Sequence, residues 1–182
     1  VAAQSGPREI RSATLPTGTV TFLFSDIEGS TQRWDAHGEA MKSALARHER
    51  LLSGAIAKHG GHTFKTIGDA FCSAFPTARQ AVRAATDAQF ALAGEDFSAV
   101  GGLLVRMGVH TGSAEERDDD YFGPSVNRVA RLMSIGHGGQ VLLSSSTCEL
   151  VRGDLPTGAS LLDLGSHRLR GLDEPERVWQ LA

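Results

Sequence analysis

Val20-Thr21-Phe22-Leu23-Phe24-Ser25-Asp26-Ile27-Glu28-Gly29-Ser30-Thr31 is a β-branched and aromatic run that delivers a carboxylate, Asp26, into a loop of small residues. The same order recurs in Phe64-Lys65-Thr66-Ile67-Gly68-Asp69-Ala70-Phe71, where Gly68-Asp69 joins two short β-like runs. Two carboxylates carried on strand ends suit hard divalent cations such as Mg²⁺, which take oxygen ligands and complete their shell with water and substrate phosphates. A pair of such cations is the apparatus of two-metal phosphoryl transfer. Each aspartate also has a plainer reading: Asp26 as a cap for the next segment, Gly68-Asp69 as a hairpin turn. The turn supplies geometry without excluding the chemistry.

Downstream of Asp26, Gly29 permits close approach, Ser30 and Thr31 offer hydroxyls, and a helix starts near Gln32. Exposed N–H groups at a helix start favour anions. Neither the GxxxxGK[ST] spacing nor GxGxxG occurs, so any phosphates would be held jointly by metal, backbone and distant cations.

Working outward, the pattern predicts a strand at about 19–25 and a long helical region to about 59, with Trp34, Met41, Leu45, Leu51, Leu52 and Ile56 facing inward. Gly60-Gly61 ends it. Strands follow at about 62–67 and 70–75, then an alanine-rich helix at 77–93 opened by Pro76 and a strand at 103–111. The acidic stretch Glu115 to Asp120 reads as a loop, and Pro124 to Ser134 as a helix with Val126, Val129, Ala130 and Met133 on one side. A short strand at 140–143, a helix at 145–152 and strands near 160–165 and 177–181 complete the chain. The expected fold is α+β: a sandwich elaborated from a ferredoxin-like core, with helices on one face of a mainly antiparallel sheet. Residues 1–17, polar and with two prolines, read as a flexible tail or linker, leaving 18–182 as the single domain.

The formal charge of −3 gives no general reason to expect nucleic acid, so phosphate binding would be local. Cys72 and Cys148 are too few and too differently placed for a disulfide framework or zinc site and read as buried thiols. No apolar run is long enough to span a bilayer and no signal peptide is visible, so the reading is cytoplasmic. A chain starting at Val1 fits a fragment fused to an upstream regulatory region. His110 reads as a packed or turn residue, Trp34 and Trp179 as core or interface aromatics, and Arg106, Arg128 and Arg152 as scattered, solvated cations.

A third cluster lies in Asp120-Tyr121-Phe122-Gly123-Pro124-Ser125-Val126-Asn127-Arg128-Val129-Ala130-Arg131-Leu132. Asn127 and Arg131, four apart, share a helix face and can form an anion clamp. For an arbitrary helix the plainer reading is a solvated face.

With these residues in view, the chain resembles the class III nucleotidyl cyclase catalytic domain, of the bacterial soluble adenylyl cyclase type. The resemblance rests on FSDIEGST, FKTIGDAF, DYFGPSVNRVARL and HRLRGLDEPERVWQL in that order and spans about residue 18 to the end. It implies that Asp26, Asp69 and the carbonyl of Ile27 bind two divalent cations, Mg²⁺ or Mn²⁺. Gly29, Ser30 and Thr31 match the phosphate loop, Lys65 and Asp120 the pair that reads adenine, and Asn127 the residue that orients the ribose. Arg131 matches the residue that neutralises transition-state charge, and Arg170 stands where a basic residue contacts the terminal phosphates. Three consecutive aspartates leave Asp118 and Asp119 as rivals to Asp120. The implied activity is conversion of ATP to 3′,5′-cyclic AMP and pyrophosphate in a homodimer, with the metal aspartates and the Lys65, Asn127 and Arg131 set coming from opposite subunits. The alternatives are a guanylyl or relaxed purine cyclase, and a non-catalytic nucleotide-binding or dimerisation module of a larger regulator.

Overall fold

A computed structural model describes residues 15–182. Strands β1 (Gly18–Ile27), β2 (His62–Ile67), β3 (Ala70–Phe75) and β4 (Val105–Arg117) lie in the order β2-β3-β1-β4, every pair antiparallel. Helices α1 (Ser30–Lys58) and α2 (Ala78–Ala93) make the connections, so this half is a ferredoxin-like βαββαβ unit. Strand β6 (Val141–Ser144) extends the sheet in parallel to β4, followed by β8 (Glu176–Leu181) and β7 (Leu161–His167). The class expected from the sequence, α+β with a mainly antiparallel sheet, is the class observed.

Alternation along β1 sends Leu23 and Ile27 to one face and Val20, Phe22 and Phe24 to the other. The first face packs on α1, α2 and α4 (Ser145–Val151), burying Met41, Leu52, Ile56, Val82, Ala85 and Val151. On the opposite face lies α3 (Pro124–Ser134), through Val129 beside Phe22 and Phe24 and through Leu132 beside Leu142. Helices therefore cover both faces, not one: the short strand β5 (Asp120–Phe122) and the turn after it carry the chain to the second face before α3 forms. Close approach makes that placement possible, since a Cβ on Gly108 of β4 would sit 2.8 Å from the Met133 backbone nitrogen.

Three further expectations change. Glu115 to Asp120 is not a loop, because β4 runs on to Arg117 and pairs with β5 (Asp120–Phe122) across a turn at Asp118 and Asp119, whose φ angles are 55° and 59°. Positive φ at both central residues is the type I′ pattern of two-residue hairpins, and Asp tolerates that region better than most side chains. Of the expected tail, residues 1–14 lie outside the described residues, but Leu15 packs against the Phe22 cluster and the Pro16 carbonyl accepts a 2.6 Å bond from the Tyr121 hydroxyl. Helix α1 begins at Ser30, two residues before the expected start, and leaves helical dihedrals at Gly38.

Cys72 and Cys148 are buried and unpaired, and burial pushes the Cys72 thiol up to about 11. His110 is packed, 7% exposed, with Nδ1 2.8 Å from the Ser144 hydroxyl. His48 is fully buried, its ring edge-on to Phe71. Burial lowers both imidazoles from 6.5 to about 4, with Arg128 adding to the fall at His110. Both rings fold neutral, whereas in the unfolded chain they protonate near the ordinary value. The stabilisation this gives is complete above pH 6.5 and is lost as pH falls toward 4, by about 3 kcal/mol for each ring at 1.36 kcal/mol per pH unit. Urea midpoints measured across that interval fall with acidification; a midpoint that rises would contradict the neutral assignment.

Candidate active site

At the C-terminal end of β1, Asp26 alternates out on the α3 face and stands opposite Arg106 of β4 in the strand register. The Arg106 guanidinium donates to one carboxylate oxygen through Nη2 at 2.6 Å and Nε at 3.1 Å. Arg106 is thus not a solvated cation. Asp69, in the β2–β3 turn, accepts from the Ile27 amide at 2.8 Å, which ties the two acidic loops together. Burial raises the Asp26 carboxyl above its ordinary range; Arg106 opposes that rise and Asp69 adds to it. Two carboxylates held close enough to feel each other, with the Ile27 backbone between them, form an all-oxygen donor set of the kind hard divalent cations take. Among the described residues no group of three metal-type side chains occurs, so substrate and water would complete any shell.

The adjoining loop is shaped by Gly29, at φ 67°, where an L side chain is strained and a Cβ would lie 3.0 Å from Arg33 Nη1. Arg33 clamps this loop by donating to the Glu28 carbonyl and, at 2.8 Å, to the Gly102 carbonyl. Ser30 and Thr31 form the first turn of α1, with Thr31 exposed.

Lys65 reaches Asp120 directly, in an ion pair that lowers the Asp120 carboxyl below its ordinary range. A β-bulge makes this possible. Thr63 pairs with Ser73 and Lys65 with Cys72, so Phe64 is the extra residue and Lys65 turns to the face that holds Cys72 rather than the one that holds Phe71. Asp118 and Asp119 form the hairpin turn, so of the three aspartates Asp120 is the one that meets Lys65. Beneath the pair, Tyr121 packs edge-on against Phe64 and Phe22, with ring centres 4.9 and 5.1 Å apart.

On α3, Asn127 and Arg131 are exposed, as is Arg170 in the segment between β7 and β8. The chain therefore joins the predicted residues into two pairs, Asp26 with Asp69 and Lys65 with Asp120, and presents Asn127, Arg131 and Arg170 to solvent. Arg106 and Arg33 were missed from sequence. A charged residue inside the apolar run Leu103 to Val109 was the available signal for Arg106, but its partner depends on cross-strand register.

The chain matches the Adenylate and Guanylate cyclase catalytic domain over residues 13–182. An uncharacterized protein of Mycobacterium tuberculosis is 45% identical over 168 residues, covering 91% of this chain and 56% of that protein, so the chain spans little more than half of that relative. An adenylate cyclase of Trypanosoma brucei solved in its monomeric state superposes with a TM-score of 0.81 at 28% identity, covering 91% of this chain and 88% of the other. The adenylyl cyclase CyaB from P. aeruginosa superposes with a TM-score of 0.75 at 26% identity, covering 91% and 94%. The chain belongs to the class III adenylate and guanylate cyclase catalytic domain family. No helix among the described residues is long and apolar enough to cross a membrane.

Proposed function

We propose that this domain is an adenylyl cyclase, converting ATP to 3′,5′-cyclic AMP and pyrophosphate at sites shared between two copies of the chain. The observation that carries the choice of ATP is the Lys65–Asp120 pair. A lysine donates to the adenine N1 acceptor and a carboxylate accepts from the exocyclic amine, whereas guanine presents the opposite polarity at both positions. In the free chain the two side chains satisfy one another, and adenine replaces that contact with one matched bond to each. The guanylyl reading lacks such support, although the family includes both activities.

Asp26, Asp69 and the Ile27 carbonyl would hold two divalent cations, Mg²⁺ or Mn²⁺. When bound, these lower the pKa of the ribose 3′ hydroxyl and offset charge on the triphosphate. Asn127 orients the ribose so that its 3′ oxygen bonds to the α-phosphorus as the bond to the pyrophosphate oxygen breaks. Arg131 compensates the charge that develops there, and Arg170 with the Gly29, Ser30 and Thr31 loop holds the terminal phosphates. Arg106 releases Asp26 and turns its guanidinium toward the same anion. Asp26, water and the substrate itself are the alternative acceptors of the 3′ proton, a metal-bound carboxylate being a weak base.

In this family the metal aspartates of one copy face the Lys65, Asn127 and Arg131 set of the other, so two complete sites require a homodimer. The test is an assay of the purified protein with ATP and GTP, each with Mg²⁺ or Mn²⁺, at several protein concentrations. The expected result is cyclic AMP with equimolar pyrophosphate, and specific activity that rises with concentration. Faster cyclic GMP formation would favour the guanylyl reading, and absence of both cyclic nucleotides would favour a binding module.

A further inference from the structure

The three exposed cationic and amide groups of the proposed site sit on two elements distant in sequence. Asn127 and Arg131 belong to α3, and Arg170 belongs to the segment between β7 and β8. At the start of β8, Glu176 is 8% exposed. One of its carboxylate oxygens accepts from Nη1 of Arg128, the residue after Asn127, and the other accepts from the Ser145 amide at the start of α4, at 3.3 Å. A nearly buried carboxylate persists only where its partners are fixed, and this one draws them from two elements besides its own. In the segment that leads into β8, Leu169 is 2% exposed and shares a buried cluster with Leu132. Arg170 and Arg131 are thus each one residue from that buried contact.

We propose that Glu176, through Arg128, is a positioning residue that holds α3 and the Arg170 segment as one unit, so that Asn127, Arg131 and Arg170 keep a fixed spacing toward the triphosphate. The Leu169–Leu132 contact resists separation but tolerates sliding, while a charge-assisted bond to a guanidinium fixes direction as well as distance. A misplacement of about 1 Å at a reacting centre can lower the rate by about 10²-fold. The inference rests on the cyclase reading and places Glu176 in the half-site that contains Asn127, opposite the half-site that contains Asp26.

The test is Glu176→Gln, which keeps size and an acceptor for Ser145 but turns an N–H toward Arg128, with Arg128→Met as the second variant. Circular dichroism and thermal midpoints check the fold of both. The expected result in either variant is a kcat lower by about 10- to 100-fold with KM for ATP changed by less than about threefold. Co-refolding then decides the half-site. Asp26→Ala mixed with Asn127→Ala regains about a quarter of parent activity, because half of the dimers are mixed and each mixed dimer has one intact site of two. Glu176→Gln regains a like amount with Asp26→Ala and none with Asn127→Ala. Parent kcat in both variants, recovery with both partners, or recovery with neither overturns the inference. Failure of the Asp26→Ala and Asn127→Ala control would instead sink the shared-site reading, leaving Glu176 to be judged on the split between kcat and KM.

Discussion

Asp26→Ala loses at least about 10³-fold in kcat with ATP, equivalent to about 4 kcal/mol of transition-state stabilisation, while its circular dichroism stays that of the parent. The separation of the two effects follows from where Asp26 sits. It is only partly exposed but belongs to no apolar cluster, and its neighbours Ser25 and Ile27 anchor β1 from the other face of the sheet. Removing the carboxylate leaves Arg106 without its partner and also relieves the repulsion with Asp69, two consequences of opposite sign for stability. For the chemistry no such compensation exists, because the alanine supplies no oxygen to the shared donor set. Turnover within tenfold of the parent would overturn the metal assignment.

Lys65→Glu lowers kcat/KM for ATP by about 10²-fold and abolishes the preference for ATP over GTP. Two mismatches arise together: adenine N1 loses its donor, and the new carboxylate faces Asp120 across the space that their ion pair filled. Each unsatisfied polar group in a closed site costs about 1–3 kcal/mol, which sets the size of the loss. The gain with GTP stays small, because the new carboxylate accepts from the guanine N1–H while Asp120 still opposes the O6 acceptor. Steady-state kinetics with both nucleotides measure the ratio, and an unchanged preference would remove Lys65 from base reading.

What could be read ahead of the structure was whatever depends on local pattern. The β1 run, the Gly68-Asp69 hairpin and the Pro76 helix start are written in neighbouring residues, and each stands within a few positions of its expected place. Asp118 and Asp119 misled because aspartate is poor in strand interiors, yet its tolerance of positive φ makes it serviceable at the turn itself. The Phe64 bulge, which aims Lys65 at Asp120, has no local signature; it arises from register against β3. Arg106 and Arg128 looked like scattered surface charge because Asp26 and Glu176 are 80 and 48 residues away in sequence. The choice of face for α3 is topological in the same sense, fixed by a crossing that no single helix records.

The most direct measurement is a crystal structure with a non-cyclisable ATP analogue and Mn²⁺, read by anomalous scattering. The expected result is metal peaks bound by both Asp26 and Asp69 of one copy, with Arg106 turned from Asp26 toward phosphate and the adenine edge between Lys65 and Asp120 of the other copy. A nucleotide-bound structure in which Asp26 remains on Arg106, Asp69 remains on the Ile27 amide and no metal peak lies between them would contradict it.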